Sequence, residues 1–95
     1  MSVTVYLSIG NSDDKLTQAE WADYNLRIAA EVTSYASTIH GAWSSHPAAR
    51  WQNAAWCLEF TDLDAMWLAR DTAAEIRKEF RQDSVAWAVA ETEFL

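Results

Sequence analysis

The chain has 95 residues, of which 51% are hydrophobic, and its fourteen acids against seven bases give a formal charge of −7. That length is one domain, 1–95, able to bury one modest core, and six Trp with only two Gly and one Pro exclude a disordered or loop-dominated chain. The negative balance argues against a phosphate backbone or an anionic membrane surface as partner, and no apolar run approaches the ~20 residues of a membrane span.

Val3, Val5, Leu7 and Ile9 alternate with Thr4, Tyr6 and Ser8, the period-two pattern of a strand with one apolar face. The same pattern, without a basic leader, argues against a signal peptide, and a single cysteine, Cys57, gives no sign of an oxidising compartment, so the cytoplasm is expected. Residues 10–15 are a loop by composition. Thr17 and Glu20 then have capping-box spacing, predicting a helix to about Ala36. Trp21, Tyr24, Ile28, Val32 and Tyr35 form its apolar stripe, and Asp23 with Arg27 is an i,i+4 ion pair.

A second strand is expected over 38–44, with Ile39, Gly41 and Trp43 on one face. After a turn at 45–50 comes a third, over 52–60, with Ala54, Trp56, Leu58 and Phe60 on its apolar face. Thr61 or Asp62 caps a second helix, whose stripe is Met66, Ala69, Ala73, Ile76 and Phe80. The last strand runs over about 85–94; Val85, Trp87 and Val89 are assigned to its inward face.

The order strand, helix, strand, strand, helix, strand predicts an α+β, ferredoxin-like βαββαβ sandwich. Right-handed crossovers give a four-stranded antiparallel sheet, order 4-1-3-2, with both helices on one face. The loop after the first strand and the hairpin between the second and third then meet at one end. That end gathers Asn11, Ser12, Asp13 and Asp14 with His46, Arg50, Trp51 and Gln52, the expected binding surface. The other candidate is the uncovered sheet face, which carries Tyr6 and offers a surface for self-association. Two small helices cannot cover six tryptophans, so at least one is expected to be exposed, and exposed aromatics mark interfaces.

Catalytic and metal chemistry find little in the residue pattern. His40 and His46 lack a third ligand, so neither zinc nor another metal is expected. Strand pairing allows His40 near Cys57 or Leu58, but nothing else supports a dyad, and Cys57 is expected to be a small buried cysteine. Asp13 and Asp14 precede a helix, whose dipole accounts for acids there. No phosphate loop, dinucleotide fingerprint or nucleophile elbow is present, and no cofactor is expected.

The stretch Ile9-Gly10-Asn11-Ser12-Asp13-Asp14-Lys15-Leu16, with His40-Gly41-Ala42-Trp43 and Trp51-Gln52-Asn53-Ala54, resembles small proteins of actinobacteria and their phages. No activity comes with this resemblance. It implies a setting, a phage-encoded accessory product in the bacterial cytoplasm. The favoured expectation is therefore a non-enzymatic protein that binds a host protein, which it modulates, or itself. The alternatives are a small-molecule-binding or minor enzymatic dimer, and a nucleic-acid mimic.

Overall fold

The first strand, β1 (Val3–Gly10), lies inside the sheet because its alternation buries Val5, Leu7 and Ile9 on one side. The computed structural model describes residues 2–49, 51–93 and 95. A 3-10 turn, Ser12–Asp14, leads to α1 (Gln18–Arg27). Then come β2 (Thr38–Ser44), β3 (Asn53–Phe60), α2 (Leu63–Glu79) and β4 (Ala86–Ala90). The described strands form one sheet in the order β2-β3-β1-β4, every neighbouring pair antiparallel. Read from the other edge this is the expected 4-1-3-2, so the α+β class and the sheet order stand as expected.

Local chemistry sets the helix ends. Thr17 and Glu20 close the capping box in both directions at 3.1 Å, satisfying two N–H groups that α1 itself cannot pair. Asp62, not Thr61, caps α2, accepting from the N–H of Asp64 and Ala65. At its far end Gln82 N–H reaches Arg77 O and Arg81 N–H reaches Lys78 O, a Schellman closure. Arg81 takes the left-handed conformation there, φ 56°, although it is not glycine.

The first helix is not continuous to Ala36. It passes at Ile28–Val32 into a π turn, where Thr33 N–H bonds Ile28 O, and ends in a 3-10 turn, Thr33–Tyr35. The wider turn inserts one residue, so adjacent Val32 and Thr33 are both buried while Tyr35 turns outward. Thr33 pairs its hydroxyl with the Ala29 carbonyl. Arg27 does not serve the expected pair with Asp23; it bonds Glu31 on its own turn and Glu79 of α2 at 2.9 Å.

The core lies between the sheet and the two helices. Val5, Leu7, Leu58 and Phe60 of the sheet are fully buried with Tyr24, Ile28 and Ile76 of the helical layer. Tyr24 stacks on Phe80 at 4.8 Å between ring centres, joining α1 to the end of α2. All five residues of the α2 stripe are buried. Trp87 pairs with Leu7 and packs its ring near Phe60, which puts it on the helix side. Val89 shares that side but reaches beyond the helices and is exposed. The last strand is shorter than expected, and Phe94 lies outside the described residues.

The register aligns residues of the opposite, uncovered face into rows. Trp43 (β2), Ala55 (β3), Ser8 (β1) and Ala86 (β4) make one row. Gly41, Cys57, Tyr6 and Ala88 make the next, and Thr38, Glu59, Thr4 and Ala90 a third. A register shift between Ile39 and Gly41 bulges β2 at His40. One extra residue reverses the alternation, so Ile39 does not share a face with Gly41 and Trp43.

Candidate functional site

The end of the sheet near the β2–β3 connection is held together by one asparagine. Asn11 is buried, and its Oδ1 accepts from Leu16 N–H at 2.9 Å. Its Nδ2 donates to Leu16 O, Gln52 Oε1 and Asp14 Oδ1 at 3.1, 3.2 and 3.3 Å. The Asn11 N–H also bonds the Gln52 carbonyl. Ser12 N–H bonds the side chain of Gln82, itself buried, at 2.7 Å, and Lys15 pairs with Asp83. The predicted residues Asn11, Ser12, Asp14 and Gln52 therefore do meet, but their polar groups are engaged with one another and with α1 through Gln18. They join loops rather than present free groups.

Asp13 and Asp14 sit in left-handed turns, φ 53° and 56°, with exposed side chains. His46 uses Nδ1 to accept from Ala48 N–H in the hairpin turn. Trp51 is 62% exposed beside it, and Arg50 lies outside the described residues.

The uncovered face is different in kind. Tyr6 stands 45% exposed on β1 and Trp43 55% exposed on β2, separated by the small residues of their rows. The Tyr6 phenol and the Cys57 thiol are direct partners across the strand pair and line one recess. The adjacent Cys57 side chain, through hydrogen bonding first and charge second, pushes the phenol above its ordinary pKa. The bulge aims His40 Nε2 at Glu59 Oε1, 2.8 Å away. An open recess of about 230 Å³ lies among Thr4, Tyr6, His40, Cys57, Glu59 and Thr92.

The chemistry of this recess is limited. An activated thiol needs a base or cation at its sulfur. Cys57 instead has a phenol as its cross-strand neighbour, and the imidazole is turned to a carboxylate. Among the described residues no group of three His, Cys, Asp or Glu side chains is placed to hold a metal ion, and no helix is long and apolar enough to cross a membrane. What the face offers is two protruding aromatic rings over a floor of Ala, Gly and Ser.

Sequence reasoning put Tyr6 on this face but missed Trp43 and the His40–Glu59 pair. The one signal was Gly41, since a glycine inside a strand pattern often marks a bulge. Gln82, buried in the network at the sheet end, gave no signal, because polar residues in a turn read as solvated. No protein-family model, curated protein or solved structure matches the chain.

Proposed function

We propose that the chain is a ferredoxin-like sandwich that acts by protein–protein interaction, with the uncovered sheet face as its working surface. The observation that carries this is the joint exposure of Tyr6 and Trp43 on a face whose only acid along the rows, Glu59, is already paired with His40. Rings that large and that open on an apolar floor are the composition of interface cores. The setting is the bacterial cytoplasm of the sequence resemblance, with a host protein or another copy as partner.

Two observations weigh against the alternatives. In the described residues half of the fourteen acids are drawn into ion pairs, among them Glu20 with Arg81, Glu79 with Arg27, Glu75 with Lys78 and Asp83 with Lys15. A nucleic-acid mimic needs an unbroken acidic stripe. A small-molecule enzyme needs a more enclosed site than the open recess beside Tyr6.

The test is photo-cross-linking in bacterial cells, with a benzophenone amino acid replacing Trp43, Trp51 or Ala22 in turn. Ala22 is an exposed control on α1. Discrete protein adducts from position 43 and none from position 22 are expected. Adducts from 51 alone would move the surface to the hairpin end, and adducts from none of the three would end the proposal.

A further inference from the structure

We infer that the cleft between α2 and β4 is a binding site for a small organic carboxylate, with Arg70 and Arg77 taking the charge and Trp87 the apolar body. The cleft is on the helix side of the sheet, away from the Tyr6 face, and stands independently of it.

The cleft exists because β4 is an edge strand. Val85 and Trp87 turn towards the helices but are only half-buried, since no further strand closes that side. An open space of about 170 Å³ remains, lined by Arg70, Ala73, Ala74, Arg77, Val85 and Trp87. Arg70 and Arg77 are seven positions apart on α2, two turns along one helix face and about 10 Å along its axis. The floor between them is alanine, valine and indole.

Charge selects the ligand. The chain carries fourteen acids against seven bases, and Lys15, Arg27, Lys78 and Arg81 each hold a carboxylate within 3.3 Å. The two bases of the cleft do not. Arg70 has only its exposed neighbour Asp71, at 3.7 Å, and Arg77 has no carboxylate among the described residues. Its Nη1 donates to the Gln82 carbonyl at 2.8 Å and to that of Asp83 at 3.5 Å. Those bonds fix the guanidinium and leave its Nε and Nη2 groups without a partner among the described residues. A guanidinium held in place with N–H groups to spare is the fork that a carboxylate matches with two parallel bonds. Arg70 lies over the Trp67 ring, 5.6 Å from its centre, which places a second cation at the same cleft.

The floor decides between kinds of anion. Inorganic phosphate would satisfy the guanidiniums and leave Ala73, Ala74 and Trp87 wet. An organic acid with a flat or short apolar body covers them too. The space is smaller than the 300 Å³ or so at which sites for drug-sized ligands begin, so the ligand is small or is the end of a longer one. The lining holds no acid, histidine, cysteine or hydroxyl, so the site binds and does not catalyse.

Nuclear magnetic resonance titration of the full chain with benzoate, to about 20 mM, tests this. Saturable amide shifts are expected at Ala73, Ala74, Arg77, Val85 and Trp87, with a Kd on the order of 1 mM, ordinary for a ligand of about nine non-hydrogen atoms. Benzamide has the shape without the charge, and inorganic phosphate the charge without the apolar body. Each should bind at least about 10-fold more weakly. Arg70→Glu should weaken benzoate by at least about 10-fold with native circular dichroism, because the side chain is exposed. Arg77→Lys, which keeps the charge and loses the fork, should weaken it about 5-fold. Lys78→Gln removes a base of the same helix outside the cleft and should change the Kd less than about 2-fold.

A second arm distinguishes a free acid from the end of a chain. The tripeptide Gly-Gly-Phe is compared with its C-terminal amide and with benzoate. The acid form binding tighter than benzoate, and the amide not, assigns the cleft to a peptide C-terminus; benzoate binding tighter assigns it to a free acid. No saturable shift to about 20 mM with either carboxylate overturns the inference. Benzamide or phosphate binding as tightly as benzoate, or Lys78→Gln weakening it as much as Arg70→Glu, also overturns it, because the cleft would then not read a carboxylate on an apolar body.

Discussion

Tyr24 shows how a single atom can work against its own side chain. Its ring is fully buried and stacked on Phe80, yet its hydroxyl has no hydrogen-bond partner among the described residues. Burial pushes its pKa to about 12, with Arg77 pulling weakly the other way. An unpaired buried hydroxyl costs about 1–3 kcal/mol, and phenylalanine keeps the ring. Tyr24→Phe should therefore stabilise the fold by roughly 1 kcal/mol in urea denaturation. The pH dependence has a definite sign. An acid whose folded pKa is raised leaves the folded state holding the proton while the unfolded state has lost it, so stability declines as pH climbs from about 10 towards 12. Tyr24→Phe should show a shallower decline over that window. An equal or steeper one would mean that the hydroxyl finds a partner in solution.

At the scale of elements, the capped helix start is the most legible part. Thr17 and Glu20 announce it in the sequence, and the structure closes both bonds. Thr17→Ala should cost about 1 kcal/mol. The Thr17 backbone N–H first, and then Arg81, hold the Glu20 carboxyl below its usual pKa. Stability from that carboxylate is therefore present at neutral pH and is lost as pH falls through the lowered folded value. Thr17→Ala should leave most of this acid dependence, because the bond that lowers the pKa most comes from backbone. Glu20→Gln should flatten it, and acid titration of the two variants separates them.

The strands and the α2 stripe were legible for the same reason as the cap: each follows from a local period or spacing. What was not legible depends on a single inserted residue. The π turn at Ile28–Val32 and the bulge at His40 each shift the phase of an otherwise regular pattern. The free-energy difference between regular and shifted forms is set by what packs against them. The left-handed Arg81 escaped notice too, because the helix ends there without the glycine that normally signals it. For the site, the topology correctly brought Asn11 to Gln52. Residue type alone could not say that they would bond each other instead of a ligand.

At the scale of the whole molecule, that bond matters because it joins distant parts of the chain. Asn11 ties the loop after β1 to Leu16 before α1 and to Gln52 before β3, while the adjacent Ser12 reaches Gln82 before β4. The sheet end is thus closed by polar side chains. Asn11→Ala leaves the Leu16 N–H and C=O buried and unpaired and should cost about 2–4 kcal/mol. Asn11→Asp is the sharper test, because it keeps the shape and the Oδ1 acceptor. It replaces the Nδ2 donor by an oxygen that faces three acceptors, on Asp14, Leu16 and Gln52. A carboxylate buried among oxygens has its pKa raised above the ordinary value of about 3.9. The folded form then holds a proton that the unfolded chain has released, so the variant loses stability as pH rises through this interval. At pH 7 Asn11→Asp should be at least as unstable as Asn11→Ala, and acidification towards pH 4 should restore part of the loss, relative to wild type at each pH. A variant that keeps wild-type stability at pH 7 would show that the Asn11 amide turns or that water enters the network, and the sheet end would not depend on it.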